Sequence, residues 1–150
     1  SSAARKDAPM TDTPTDDELD IAMRHVVTRL TSTPELVDTF PGGVWDDGPP
    51  GDVARPYVTV GVQAALDSQV TDGRTVLVVV TARVIVTTDQ PSYPAAEALA
   101  AHRALHRTKA GRVLACRRSQ SLRYSEREDD RRWRYQGGLY VLTIGAGPGD

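Results

Sequence analysis

Cysteine is nearly absent from this chain. Cys116 is the only one in 150 residues, which excludes an intrachain disulfide. No apolar run approaches the roughly 18 residues of a membrane span, so no membrane partner is expected. The first ten residues, SSAARKDAPM, contain no apolar stretch and lack the pattern of a secretory signal. The expected setting is the cytoplasm, or an assembly built there. There is no internal repeat. Gly145-Ala146-Gly147-Pro148-Gly149 is glycine-rich, but no helix follows it to hold a phosphate at its N-terminus. No Ser, His and Asp set stands in the local context of a nucleophile elbow.

What is present centres on Thr75 to Thr88, TVLVVVTARVIVTT. With a period of two, Val76, Val78, Val80, Ala82, Val84 and Val86 form one wholly apolar face. The other face mixes Thr75, Leu77, Val79, Thr81, Arg83, Ile85 and Thr87. The β-branched content suits a strand, and neither Gly nor Pro interrupts it. Fully extended it would reach roughly 45 Å, well beyond an average strand. Such a strand is expected to bend or to overhang its own domain, and an overhang would need cover from a neighbouring subunit.

Charge is nearly balanced overall, at −2, but uneven along the chain. Residues 1–50 hold ten acids and four bases, residues 51–100 five and three, and residues 101–150 five and eleven. An acidic beginning and a basic end fit a nucleic-acid binder with an acidic tail. They also fit a subunit whose two sides meet their complements on identical neighbours.

Ser1–Thr15 is small, polar and Pro-containing, and is expected to be a flexible arm. A helix is expected over Asp16–Leu30, with Thr15 as cap and Glu18 at capping-box spacing. Its apolar stripe is Leu19, Ala22, Met23, Val26, Val27 and Leu30. Thr31–Pro34 ends it. Glu35–Pro56 is expected to be a long connection, with Val44-Trp45 as a short strand inside it. Pro56–Val62 is a strand with Val58, Val60 and Val62 inward, and Gln63–Arg74 connects it onward through a turn at Asp72-Gly73.

A second helix is expected from Tyr93 to Arg107, with Ser92 as cap and Pro94 in the first turn. Ala95, Ala98, Leu99, His102 and Leu105 form its stripe. Val113–Tyr124 is a strand, with Leu114, Cys116, Leu122 and Tyr124 on one face. Ser125–Arg131 is a charged hairpin loop, and Trp133–Ile144 is the last strand. Trp133 and Tyr135 differ in parity from Tyr140, Leu142 and Ile144, so a bulge at Gly137-Gly138 is expected. Residues 145–150 form a flexible tail. The sum is one α+β domain over residues 16–144. It has a mixed or antiparallel four-stranded sheet containing a long β-hairpin, with two helices on one face, in the order α-β-β-α-β-β.

His102 and His106, at i and i+4, could grip a metal, but no third ligand is evident and no cofactor is expected. Asp46 and Asp47 have carboxylates that turn chemistry explains as well as catalysis does. Cys116 inside a strand fits a small buried residue. No enzyme is expected. The basic cluster holds Arg112, Arg117, Arg118, Arg123, Arg127, Arg131, Arg132 and Arg134. It fits a phosphate-facing surface, a solvated face paired with local acids, or a surface set against the acidic half of an adjacent subunit.

Val44-Trp45-Asp46 leads through Gly48-Pro49-Pro50 to Arg55-Pro56-Tyr57-Val58-Thr59-Val60-Gly61. The chain closes on Tyr135-Gln136-Gly137-Gly138-Leu139-Tyr140-Val141. With the first helix, the long strand pair and the second helix, this pattern resembles the tail terminator, or tail-completion, proteins of long-tailed bacteriophages. The resemblance implies a structural virion protein in the neck region of the tail, assembled in the bacterial cytoplasm. Its partners would be identical subunits in a hexameric ring, the tail tube protein and a head-completion or neck protein. DNA would pass through the lumen without specific binding. Arg83, Arg117, Arg118, Arg123, Asp46 and Asp47 are the expected subunit interface. Three alternatives stand beside this: another neck or tube ring subunit, a small nucleic-acid-binding module using the Arg-rich strands, and an enzyme with a site at Asp46, Asp47 and the histidines.

Because the arm lies outside the patterned segments, deleting Ser1–Thr15 should leave a cooperative thermal transition. Loss of that transition in calorimetry would place the arm in the core.

Overall fold

The computed structural model describes residues 16–49, 51–67, 75–86, 92–128 and 130–145. The expected arm, the Thr15 cap, the Asp72-Gly73 turn and residues 146–150 of the expected tail lie outside these. The described residues form a mixed α+β sandwich with three helices and one five-stranded sheet. The helices are α1 (Asp16–Leu30), α2 (Pro34–Thr39) and α3 (Ala95–Leu105). The strands are β1 (Val44–Asp46), β2 (Tyr57–Asp67), β3 (Val76–Val86), β4 (Val113–Glu128) and β5 (Arg131–Ile144). Their spatial order is β1-β2-β3-β5-β4. β1 runs parallel to β2, and every other neighbouring pair is antiparallel.

The core lies between the helices and one face of this sheet. Ala22, Val26 and Leu30 of α1 are buried, as their spacing requires, and His25 is buried beside them. On the sheet side stand Val78, Val80 and Val84 of β3, with Tyr140, Leu142 and Ile144 of β5. Two side chains tie the ends of the helices together. His25 Nε2 lies 2.9 Å from Thr108 Oγ1, and Arg29 Nε donates to the Ala104 carbonyl at 3.2 Å. Arg112 closes the other end of the sandwich. It binds Asp17 at 2.6 Å and Glu18 at 3.0 Å in the first turn of α1, and donates to the Gly145 carbonyl at 2.8 Å. Gly145 is thus held against the body of the domain.

Several expectations change here, each for a local reason. α2 falls within the expected long connection. Thr33 accepts from the Leu36 N–H at 3.2 Å and Pro34 occupies the first helical position, so the residues that stop α1 also start α2. β2 runs on to Asp67 because a bulge between Val62 and Ala64 shifts its facing. Val62 stays on the helix side, paired with Val80, but is 36% exposed beside the groove at α1, and past the bulge Ala65 makes the core contact. α3 starts at Ala95 with Pro94 as cap and no side-chain cap bond, so Ser92 does not serve. Its buried stripe is Ala98, Ala101 and Leu105, while Leu99 is 46% exposed.

The Ser125–Arg131 segment is mostly strand: β4 continues to Glu128, paired with Arg131, and Asp130 takes a positive φ of 63° at the turn. Bulges in β4 between Val113 and Ala115, and between Arg118 and Gln120, split the expected apolar face. Cys116 is buried, Leu114 is 52% exposed, and Leu122 and Tyr124 lie on the face away from the helices.

The long strand does not overhang. β3 pairs with β2 on one side and β5 on the other along its described length. Its apolar face is covered by the helices. Among the described residues the overhang belongs to the β4–β5 hairpin, whose last three rungs pass beyond Val86: Glu126–Trp133, Arg127–Arg132 and Glu128–Arg131.

Gly137-Gly138 makes no bulge, since the β3–β5 register is unbroken from Val76–Ile144 to Val86–Arg134. The two glycines instead permit close approach. A Cβ at Gly137 would collide with the Ala82 carbonyl, and one at Gly138 would lie 2.8 Å from Arg118 Cδ. Trp133 and Tyr135 accordingly stay on the face away from the helices. Gly137→Ala should lower stability by about 2 kcal/mol and the melting temperature by several degrees, because backbone, not a flexible side chain, must yield. An unchanged melting temperature would contradict the close packing of β3 on β5.

Candidate functional site

The six interface residues expected from the sequence divide between the two edges of the sheet. Asp46, Asp47 and Arg83 come together at the β1 edge. Asp46 ends β1, and Asp47 follows in a left-handed conformation (φ 74°) with its N–H donated to Val60 at 2.9 Å. The parallel rung to β2 ends there, and the outer edge of β2 beyond Val60 has no described strand beside it. A cleft of about 420 Å³ opens at this point, lined by Asp46, Asp47, Val60, Gly61, Val62, Gln63, Thr81 and Arg83. Thr81 is 5% exposed, and its hydroxyl is buried with no hydrogen-bond partner. Arg83 is half-buried; Nη1 donates to the Tyr124 hydroxyl at 2.7 Å and the guanidinium lies over the Tyr135 ring at 5.6 Å. Asp46 also borders a groove of about 480 Å³ lined by Asp17, Leu19, Asp20, Met23 and Val62. Neither Asp46 nor Asp47 has an ion-pair partner among the described residues.

Arg117, Arg118 and Arg123 lie on β4, at the opposite edge. Register places Arg118, Arg123 and Arg127 on the helix side of the sheet and Arg117 on the other. Arg123 lies 4.3 Å over the Tyr93 ring, and Arg132 of β5 donates to Ser125 Oγ at 3.2 Å. None of Arg117, Arg118, Arg123 and Arg127 has a carboxylate at ion-pair distance among the described residues. Arg112, one of the basic cluster, is taken up by Asp17 and Glu18. Thr81 was not singled out in the sequence. Its place on the mixed face of the long strand, two residues from Arg83, was the available signal.

The groups with catalytic potential are held in packing roles. His102 and His106 stack with ring centroids 4.7 Å apart. His102 Nδ1 lies 3.0 Å from the Tyr140 hydroxyl, and the Arg118 N–H donates to His106 Nδ1 at 3.4 Å. Among the described residues no three His, Cys, Asp or Glu side chains converge on a metal position. Cys116 is buried and its thiol is pushed up to about 11 by desolvation, so it carries little thiolate. Burial also pushes the Tyr140 hydroxyl up, to about 12. Among the described residues no helix is long and apolar enough to cross a membrane.

The class this describes is an α+β subunit in which, among the described residues, the edge strands β1 and β4 have no further strand beside them. Comparison with known proteins gives the family. Residues 24–136 match the family model described as "Tail completion protein gp17", and the chain belongs to that family. It is a structural protein of the virion tail. A solved structure titled "Virion of native gene transfer agent (GTA) particle" contains a chain of the same fold, with a TM-score of 0.60. Identity is 20%, and the match covers 81% of this chain and 92% of that one. A search of curated proteins gives no match.

Two histidines, His25 buried and His102 partly buried, set a pH dependence. Desolvation, helped by Arg29, holds His25 below its ordinary value of 6.5. Desolvation, then Arg118 and His106, lowers His102 likewise. Both therefore bind a proton more readily in the unfolded chain, so stability is full above about pH 6.5 and declines as pH falls toward the lowered folded values. Carboxylates hardly titrate between pH 7.5 and 6. The melting temperature should drop across that interval, and less so in His25→Gln; a flat profile would contradict the burial of these rings.

Proposed function

We propose that this chain forms a closed ring, with six copies, on the head-proximal end of the phage tail tube. The ring ends tube polymerisation and offers a joining surface to a head-completion or neck protein. DNA passes through the lumen without sequence-specific contact, and acidic side chains there would repel its phosphates. Asp46, Asp47, Arg83, Arg117, Arg118 and Arg123 belong to the contact between copies. The ring would be built in the cytoplasm of the bacterial host, beside the growing tail.

The observation that carries this reading is that neither edge strand of the sheet, β1 or β4, has a further strand beside it among the described residues, in a chain of the tail-completion family. If one edge of this chain pairs with the other edge of the next copy, the contact is head to tail, and a head-to-tail contact closes into a ring or runs on as a filament. A terminator has to close. Its work is mechanical, since it occupies the tube end and denies it to the next tube subunit.

Removing this chain from particle-producing cells should leave tails of excess and irregular length, with no heads attached, in negative-stain micrographs. Particles with normal tails and attached filled heads would refute the assignment.

A further inference from the structure

We propose that the Asp46–Asp47 cleft receives an arginine guanidinium from the β4–β5 hairpin of a second copy of this chain. The inference rests on the ring reading above and names the contact through which the ring would close.

The cleft asks for donors. Asp46 and Asp47 carry acceptor-only carboxylates with no ion-pair partner among the described residues. Thr81 Oγ1 lines the same cleft, nine-tenths buried and without a hydrogen bond. A buried hydroxyl in this state marks a place where a partner atom belongs. Arg83 does not fill it, because its Nη1 is drawn across the sheet to Tyr124 and its plane rests near Tyr135. What suits two carboxylates and a hydroxyl is a planar group with several N–H donors, and guanidinium carries five.

The hairpin offers such groups. Arg123 and Arg127 share one side of β4 and are exposed, with no carboxylate at ion-pair distance among the described residues. Two intervals of the alternating pattern set them about 13 Å apart. β4 is an edge strand, and its outer side pairs with no described strand. Arginines along a free edge discourage indiscriminate strand pairing and leave a charged contact in its place.

One chain cannot satisfy both halves. β1 and β4 stand at opposite edges, four strand spacings or about 19 Å apart. Each copy therefore donates to one neighbour and accepts from the other. DNA phosphate could also meet the arginines, but it leaves the acidic cleft without a role, and a second copy accounts for both.

The test is sedimentation velocity on the full chain, up to about 1 mM, the weak end of specific association. It is run in salt of about 20 mM and again at about 500 mM, where exposed charges are screened. Wild type should associate at low salt and less so at high salt. One variant joins Arg123→Asp to Arg127→Asp. The other joins Asp46→Lys to Asp47→Asn, since asparagine tolerates the positive φ. Each should weaken association at least about tenfold. Mixing the two variants should restore it, which misfolded chains could not do.

Wild type that stays monomeric throughout overturns the contact and leaves a ring templated by the tube. Oligomers of unchanged size in both variants overturn it as well, while the ring stands. Open-ended growth of wild type removes the ring reading, and the contact falls with it. If the arginine variant loses salt-sensitive DNA binding and keeps self-association, the hairpin is a phosphate surface and the proposal is wrong.

Discussion

Backbone pairing is complete inside this sheet and stops at its two rims, and that inequality governs the rest of the molecule. β2, β3 and β5 each have a neighbour on both sides, although β1 covers only the beginning of β2. β4 has no further described strand on its outer side, where only its first residues, Val113, Cys116 and Arg118, meet the segment after α3. An open edge invites another chain, and most proteins blunt it with charge or with a twist. Here both devices are present. β4 carries arginines and two bulges, while the other rim carries Asp46, Asp47 and the bulge in β2. The charges at the rims are opposite in sign, so what discourages random pairing also favours ordered pairing of one rim with the other.

The helices do not compete for these rims. α1 and α3 lie over the inner strands, where Val78, Val80, Leu142 and Ile144 need cover, and Arg112 locks the start of α1 onto the far end of β5. Packing on one face keeps the domain whole and leaves the edges free for assembly. The other face of the sheet holds Tyr57, Tyr124, Trp133 and Tyr135, half-buried among themselves with Arg55 and Arg83 above the rings. That lends the hairpin stiffness where it passes beyond β3.

Much of this was legible in the chain. Periodicity placed α1 and the apolar face of β3, because both bury one continuous stripe. The tail-completion resemblance was legible from the turn-rich approach to Tyr57 and the closing Gly137-Gly138 run. Facing was lost wherever a bulge intervened. Leu114 and Leu122 follow the alternation perfectly in sequence, yet one extra residue turns each away from its expected side, just as the bulge after Val62 brings Ala65 onto the core side. The length of β3 suggested an exposed ribbon, but a strand at the centre of a sheet is long because both neighbours are long. The exposed ribbon is the charged hairpin, whose acids and arginines suggested a loop. Of the interface residues, the sequence could not reveal that Asp46, Asp47 and Arg83 share one cleft, since that depends on the parallel β1–β2 rung and on the second antiparallel pairing.

The most direct measurement is a density map of the assembled neck with this chain in place. The account predicts the β4 edge of each copy against the β1 edge of the next, with an arginine guanidinium within about 4 Å of Asp46 or Asp47. A map in which both edges face solvent, or in which identical edges meet each other, would contradict it.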